Sequence, residues 1–233
     1  MPSMRPCHRN FNNCWKNWMY ELIVFDWDGT LMDSEATIVQ CLQKAAADLG
    51  HVVPDEAQAR DVIGLGLHQA VARLFPEADE AEVDALANQY RRHFLDPERP
   101  PSPLFPGAGE LLETLASRDY LLAVATGKSR RGLDMELQHT GLGDFFHYTR
   151  CADEAFSKPH PQMLLDVIDY LGAEQGRTLV VGDTEYDMQM AANAGSHAVG
   201  VSYGVHAPER LQKEGALAVF DRLGEIPDWL RSV

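Results

Sequence analysis

The sequence predicts an α/β fold, a Rossmann-like doubly wound parallel sheet carrying an inserted all-helical cap domain. Four short apolar runs, at 21–26, 120–126, 178–183 and 197–202, have the length and composition of buried strands. Segments of helical periodicity follow or separate them, at 107–117, 129–140, 160–171 and 185–193. Strands alternating with helices of this length form parallel sheets covered on both faces. The rhythm breaks once: between 34 and 100 no buried strand is legible, only helical pattern.

Taken in order, the first eighteen residues, "MPSMRPCHRNFNNCWKNW", are basic and Asn-rich and lack the apolar run of a signal peptide. They read as an extension, with Met19 opening the domain. Cys7, His8 and Cys14 have no second pair of ligands nearby and do not read as a metal site. "YELIVFDWDGTLMDS" is a strand ending in a polar loop. "EATIVQCLQKAAADLG" is helical and ends at Gly50, a fitting C-cap. "GLHQAVARLF" and "EAEVDALANQYRRHFL" continue the helical period. "DPERPPSPLFPGAG" stops it, and Pro100, Pro101 and Pro103 make the return linker. The expected division is a core of 19–33 and 101–233 around a cap of 34–100.

The chain has 233 residues, 45% of them hydrophobic, enough for one core with an insertion. Its formal net charge is −15 and no basic face stands out, which argues against nucleic acid as a partner. No stretch approaches the roughly 20 apolar residues of a membrane span. The four cysteines form no CxxC pair, in keeping with a reducing, cytoplasmic setting. A monomer or homodimer acting on a small molecule fits these properties.

The chemistry gathers at strand ends. The first strand leads to Asp26 and Asp28, the second to Thr126, Gly127 and Lys128, the third to Asp183, Thr184 and Asp187; Lys158 precedes a helix in "SKPHP". Any one of these is an ordinary turn or cap residue. Together they fall on the carboxyl rim of one sheet, where ligands bind in such folds. Four carboxylates share a pocket only if a cation offsets them. An all-oxygen set suits Mg²⁺, which binds through a few carboxylates and a phosphate. Asp183 and Asp187 stand four apart, one helical turn. Lys158, Thr126 and the backbone near Gly127 supply donors for an anion.

"DWDGTLMDS", "VATGK", "SKPHP" and "VVGDTEYDMQMAANAG", in that order, resemble the haloacid dehalogenase superfamily over nearly the whole chain from Met19. The helical insertion resembles that superfamily's cap. The resemblance implies a Mg²⁺-dependent phosphomonoester hydrolase working through an aspartyl-phosphate. Asp26 would be the nucleophile, and Asp28 the general acid and then base, with a raised pKa for that purpose. The Asp26 side chain, the Asp28 carbonyl, Asp183 and Asp187 would hold the metal. Thr126, Gly127 and Lys158 would hold the phosphoryl group, with Lys158 shielding Asp26 from Asp183. Gly29 and Thr30 would shape the loop, and Glu185 is not expected as a ligand. The dehalogenases of the superfamily lack an acid at the position of Asp28, so its presence favours phosphoryl transfer. In the cap, which would close as a lid, the "GLG" at 64–66 would lower Leu65 or His68 toward the substrate, and Arg60, His68 and Glu35 are candidate contacts. This loop and "SYG" at 202–204 resemble phosphoglycolate phosphatases, although Gly127 stands where their second motif more often has asparagine. Alternatives are a phosphosugar mutase of the β-phosphoglucomutase type, an inorganic pyrophosphatase and a non-catalytic regulatory binding module.

Overall fold

The computed structural model describes residues 19–233; the extension with Cys7, His8 and Cys14 lies outside the described residues. In chain order the elements are β1 (Leu22–Phe25), α1 (Glu35–Asp48), α2 (Glu56–Asp61), α3 (Leu67–Leu74), α4 (Glu80–Phe94), α5 (Ala108–Ser117), β2 (Leu121–Thr126) and α6 (Arg130–Thr140). Then follow β3 (Tyr148–Cys151), α7 (Gln162–Leu171), β4 (Thr178–Gly182), α8 (Glu185–Asn193), β5 (His197–Val201), α9 (Pro208–Lys213), β6 (Val219–Phe220) and α10 (Ile226–Ser232).

All six strands run parallel, in the order β3-β2-β1-β4-β5-β6. Alternation of side chains across each strand fills two separate cores. Ile23, Phe25, Val124 and Val181 face one cluster with Leu112 of α5 and Leu230 of α10. Leu22, Val24, Ala123 and Val180 face another with Leu164 of α7 and Met190 of α8. Every residue of β1 is buried, because both faces of a doubly wound sheet are covered. The strands β3 and β6 have no counterpart among the four runs expected from the sequence. They are edge strands, one only partly buried ("YTRC") and one of two residues, so neither carries a continuous apolar signal. The short helices α2, α9 and α10 also had too few turns to show a period.

The residues between β1 and α5 form four helices with a core of their own, including Ile38, Leu42, Val62, Ile63, Leu86 and Phe94. Capping boxes start α2 (Asp55 with Gln58) and α4 (Asp79 with Glu82). Two chain segments join this unit to the sheet and run side by side: the Asp33 amide donates to Pro103 O (2.9 Å) and the Phe105 amide to Leu31 O (2.9 Å). A second joint lies opposite. Arg210 of α9 donates to Asp61 of α2 at 2.6 Å, and Tyr186 of α8 donates to the Asp61 carbonyl at 2.8 Å. No helix among the described residues is long and apolar enough to cross a membrane.

Within the cap, Asp48 at the end of α1 accepts from Gln89 and is 2.7 Å from His93, both on α4. Those hydrogen bonds, Gln89 first, hold its carboxyl below the ordinary value of 3.8. A depressed carboxylate contributes stability that is present above 3.8 and lost as pH falls through the folded value. Asp48→Asn is expected to lower the urea midpoint at pH 7, and the gap to the wild type should close below the ordinary carboxyl value of 3.8. A gap of constant size in parallel urea titrations would refute this.

Candidate active site

Adjacent parallel strands set the geometry. β1 and β4 pair with Phe25 opposite Val181, and the Asp26 amide still donates to Val181 O at 2.9 Å. The two strands therefore end together at the point where strand order reverses, and Asp26 and Asp183 emerge there as neighbours. α8 begins one residue later. Thr184 is its N-cap and Asp187 its third residue, so the same capping box that starts the helix turns Asp187 back toward the strand ends. Asp187 accepts from the Thr184 hydroxyl at 2.6 Å and the Thr184 amide at 3.1 Å. Asp183 accepts from the Thr30 hydroxyl (2.9 Å) and the Val205 amide (2.8 Å). Gly29 has φ +81, and a Cβ there would run into the Asp183 carboxylate, so the turn after β1 is bound to glycine on two counts.

Lys158, fully buried, donates to Asp26 at 2.7 Å and to Asp187 at 2.6 Å. It therefore separates Asp26 from Asp187, and not Asp26 from Asp183 as the family resemblance implies. One oxygen each of Asp26, Asp183 and Asp187 lies within 4.8 Å of the others, the one such cluster among the described residues. Burial, opposed by Lys158 and reinforced by Asp187 and Asp28, pushes the Asp26 carboxyl up to about 7. Burial and then Asp26 raise Asp183 well above the ordinary carboxyl range, while Asp187 and Asp26 raise the Lys158 ammonium despite its burial. Three carboxylates thus meet one ammonium, and Oδ2 of Asp26 is buried with no hydrogen-bond partner. A hard divalent cation fits this set: it meets oxygen donors alone, an excess of negative charge and an orphaned carboxylate oxygen.

Asp28 leaves the turn in another direction. It accepts from the Ser34 hydroxyl at 2.5 Å and pairs with Lys128 at 3.0 Å. Lys128 in turn contacts Glu136 of α6 at 3.2 Å and lies 4.1 Å above the Phe94 ring. Glu136 accepts from the Trp27 indole at 2.6 Å. Burial depresses the Lys128 ammonium, and the pull of Asp28 and Glu136 outweighs it. Ser34 and Glu136 were not anticipated. Ser34 lies inside the first motif, whereas Glu136 sits 109 residues from the Trp27 it binds and has no local signature.

Thr126, 1% exposed, ends β2 with its hydroxyl accepting from the Lys128 amide at 3.2 Å. Gly127 packs beneath the cap loop: a Cβ there would stand 2.6 Å from Leu65 O and 2.7 Å from Gly64 O. Between cap and sheet lies a cavity of about 300 Å³ lined by Asp26, Asp28, Thr126 and Gly127 below and by Leu65 and His68 above. Arg60 is not in its wall; Arg60 and Glu35 pair with each other at 2.8 Å, which removes both from the candidate contacts. His68 lines the cavity and stands 3.3 Å from Asp84. Glu185 is held by Arg210, outside the carboxylate cluster, as expected.

A carboxylate cluster at the switch point of a doubly wound sheet, enclosed by a helical cap, defines a capped α/β hydrolase. The chain belongs to the haloacid dehalogenase-like hydrolases, whose family model matches residues 23–201. It is 37% identical over 213 residues to the probable phosphatase IndB of Dickeya dadantii, covering 89% of this chain and 92% of that protein. It is 33% identical to a phosphoglycolate phosphatase of Rhodospirillum rubrum, covering 91% of each. The crystal structure of a predicted phosphoglycolate phosphatase from Haemophilus somnus superposes with a TM-score of 0.81 at 26% identity, over 92% of this chain and 99% of that one. The chain is a hydrolase of the phosphatase kind.

Two outcomes are expected. Mg²⁺ at 100 times its dissociation constant should raise stability by about 2.7 kcal/mol, read as a shift in melting temperature. Asp183→Asn should shrink that shift; an equal shift in both proteins would place the ion elsewhere. Gly127→Ala forces the backbone of the cap loop back, and a displacement near 1 Å costs about 100-fold in rate, so kcat/KM should fall steeply while the fold, followed by circular dichroism, persists.

Proposed function

We propose that this protein hydrolyses small phosphorylated metabolites, phosphoglycolate or similar esters, with Mg²⁺ and through an aspartyl-phosphate on Asp26. The observation that carries this reading is the contrast between the two aspartates. Asp26 presents an unpartnered oxygen within a buried carboxylate cluster, and Asp28, two residues on, is held apart by its own partners.

The Asp26, Asp183 and Asp187 carboxylates and the Asp28 carbonyl would hold Mg²⁺. When bound, the ion offsets the charge on the cluster and on the phosphoryl oxygens. Lys158 fixes Oδ1 of Asp26 and so orients the carboxylate that would attack phosphorus. The Oδ–P bond forms as the bond from phosphorus to the ester oxygen breaks, and Asp28 passes its proton to that oxygen. In the second half Asp28 takes a proton from water, the water oxygen bonds to phosphorus, and the Oδ–P bond breaks to regenerate Asp26. Ser34 and Lys128 hold the Asp28 carboxyl in place for both transfers. Thr126 and Gly127 line the floor where the phosphoryl oxygens would rest, and the cap excludes bulk water. His68 is the one candidate cap contact that remains in the cavity wall.

Phosphate release from p-nitrophenyl phosphate and from a panel that includes phosphoglycolate tests the reading. Release should require Mg²⁺ and vanish in Asp26→Asn. Asp28→Asn should lower kcat by about 10²–10⁴-fold. A folded wild type that releases no phosphate from any ester would sink the hydrolase reading. Conversion of a sugar phosphate to its isomer without net release would select the mutase.

A further inference from the structure

The walls of the cavity beyond the phosphoryl site are apolar, with Ile38, Leu42, Val62, Ile63, Leu65 and Phe94 facing it. The basic side chains in those walls are Lys128, His68 and Arg91. Lys128 is committed to Asp28 and Glu136, and His68 stands against Asp84. Arg91 remains, and it also lines an open cleft at the cavity mouth together with Arg92, Arg131 and Ser129. Arg91, Leu95, Ser129 and Asp153 line both, so cavity and cleft adjoin.

Arginines of this chain differ in their partners. Arg60, Arg73, Arg130, Arg150 and Arg210 all have carboxylate partners within 4.0 Å. Arg91 and Arg92 donate only to the neutral amides of Asn88 (2.8 Å) and Gln89 (3.3 Å), and Arg131 has no partner among the described residues. The two carboxylates in the cleft, Asp96 and Asp153, already accept from the backbone amides of Glu98 and Arg130. Arg131 also stands in the first turn of α6, the end of a helix where a cation is disfavoured. In a protein of net charge −15, three guanidinium groups without carboxylate partners around one cleft are suited to an anion, although Asp96 and Asp153 line the same cleft.

We propose that the cleft of Arg91, Arg92 and Arg131 binds a second anionic group of the substrate, a phosphate or a carboxylate, at the end remote from the transferred phosphoryl group. The substrate is then a phosphomonoester with a neutral or apolar middle and a distal anion. Because Arg91 and Arg92 belong to α4 of the cap and Arg131 to α6 of the core, the distal anion also ties the cap to the sheet. This inference rests on the phosphatase reading for the proximal site.

The test uses non-hydrolysable probes with Mg²⁺ present: alkane-α,ω-diphosphonates and ω-phosphonocarboxylates of two to six methylenes, each against the alkylphosphonate of equal length. Calorimetry should show one length at which a doubly anionic probe binds the wild type at least tenfold more tightly than its monoanionic match. Whether the phosphonate or the carboxylate series shows it identifies the distal group. Arg92→Ala with Arg131→Ala should abolish that preference, and Arg131→Gln alone should reduce it. Equal affinities at every length, or a preference that survives the double substitution, would overturn the proposal. In turnover, the ratio of kcat/KM for esters with and without a distal anion should fall by the same factor in the double variant. A wild type that prefers the dianionic probe yet hydrolyses no ester would retain the cleft and refute the hydrolase.

Discussion

The structure turns on an excess of buried negative charge. Asp26, Asp183 and Asp187 converge at the ends of β1 and β4 with Lys158 as the one ammonium that meets them among the described residues. In a low-dielectric site such groups raise one another's pKa values, and both Asp26 and Asp183 are raised here. Other features of the site serve this convergence. The parallel register aligns the two strand ends. Glycine at position 29 leaves room for the Asp183 carboxylate, and the capping box of α8 returns Asp187 to it. Burying hydrophobic side chains in place of such charges is often no less stable, so stability alone does not account for the cluster.

The same constraint separates the two aspartates of the first loop. Asp26 faces the cluster; Asp28 faces Ser34 and the Lys128–Glu136 pair under the Phe94 ring. Two like groups one residue removed from each other thereby live in different electrostatic surroundings. In the proposed reaction this difference divides nucleophile from proton carrier. Lys128 also links the core to the cap, since it packs on a ring from α4.

The cap contributes shape and an apolar enclosure more than charge. Its core meets the rest of the molecule through Tyr186, Met135 and Val205, and its loop carbonyls at Gly64 and Leu65 rest where Gly127 offers no side chain. The polar selection in this chain falls to the cavity mouth, where Arg91 and Arg92 of the cap approach Arg131 of the core.

How much was legible in advance follows from how far apart the interacting residues lie. The central strands, the flanking helices and the helical insertion are written in local periodicity, and they appear within a residue or two of their expected bounds. Asp26, Asp28, Thr126, Asp183 and Asp187 were legible because each stands at or just beyond a strand end in a recognisable motif, and Lys158 because its motif precedes a helix. The edge strands β3 and β6 were not, because a half-exposed or two-residue strand carries no run of apolar residues. The Arg60–Glu35 pair, the link from Lys158 to Asp187 and the Trp27–Glu136 bond were not, because each joins segments far apart in the chain. By itself, then, the sequence determined the sheet, the insertion and the chemical groups at the strand ends, since hydrophobic period and turn chemistry are local. Only the tertiary structure decided which charges neutralise one another and which stand open to a ligand, because electrostatic partnership depends on distance in space.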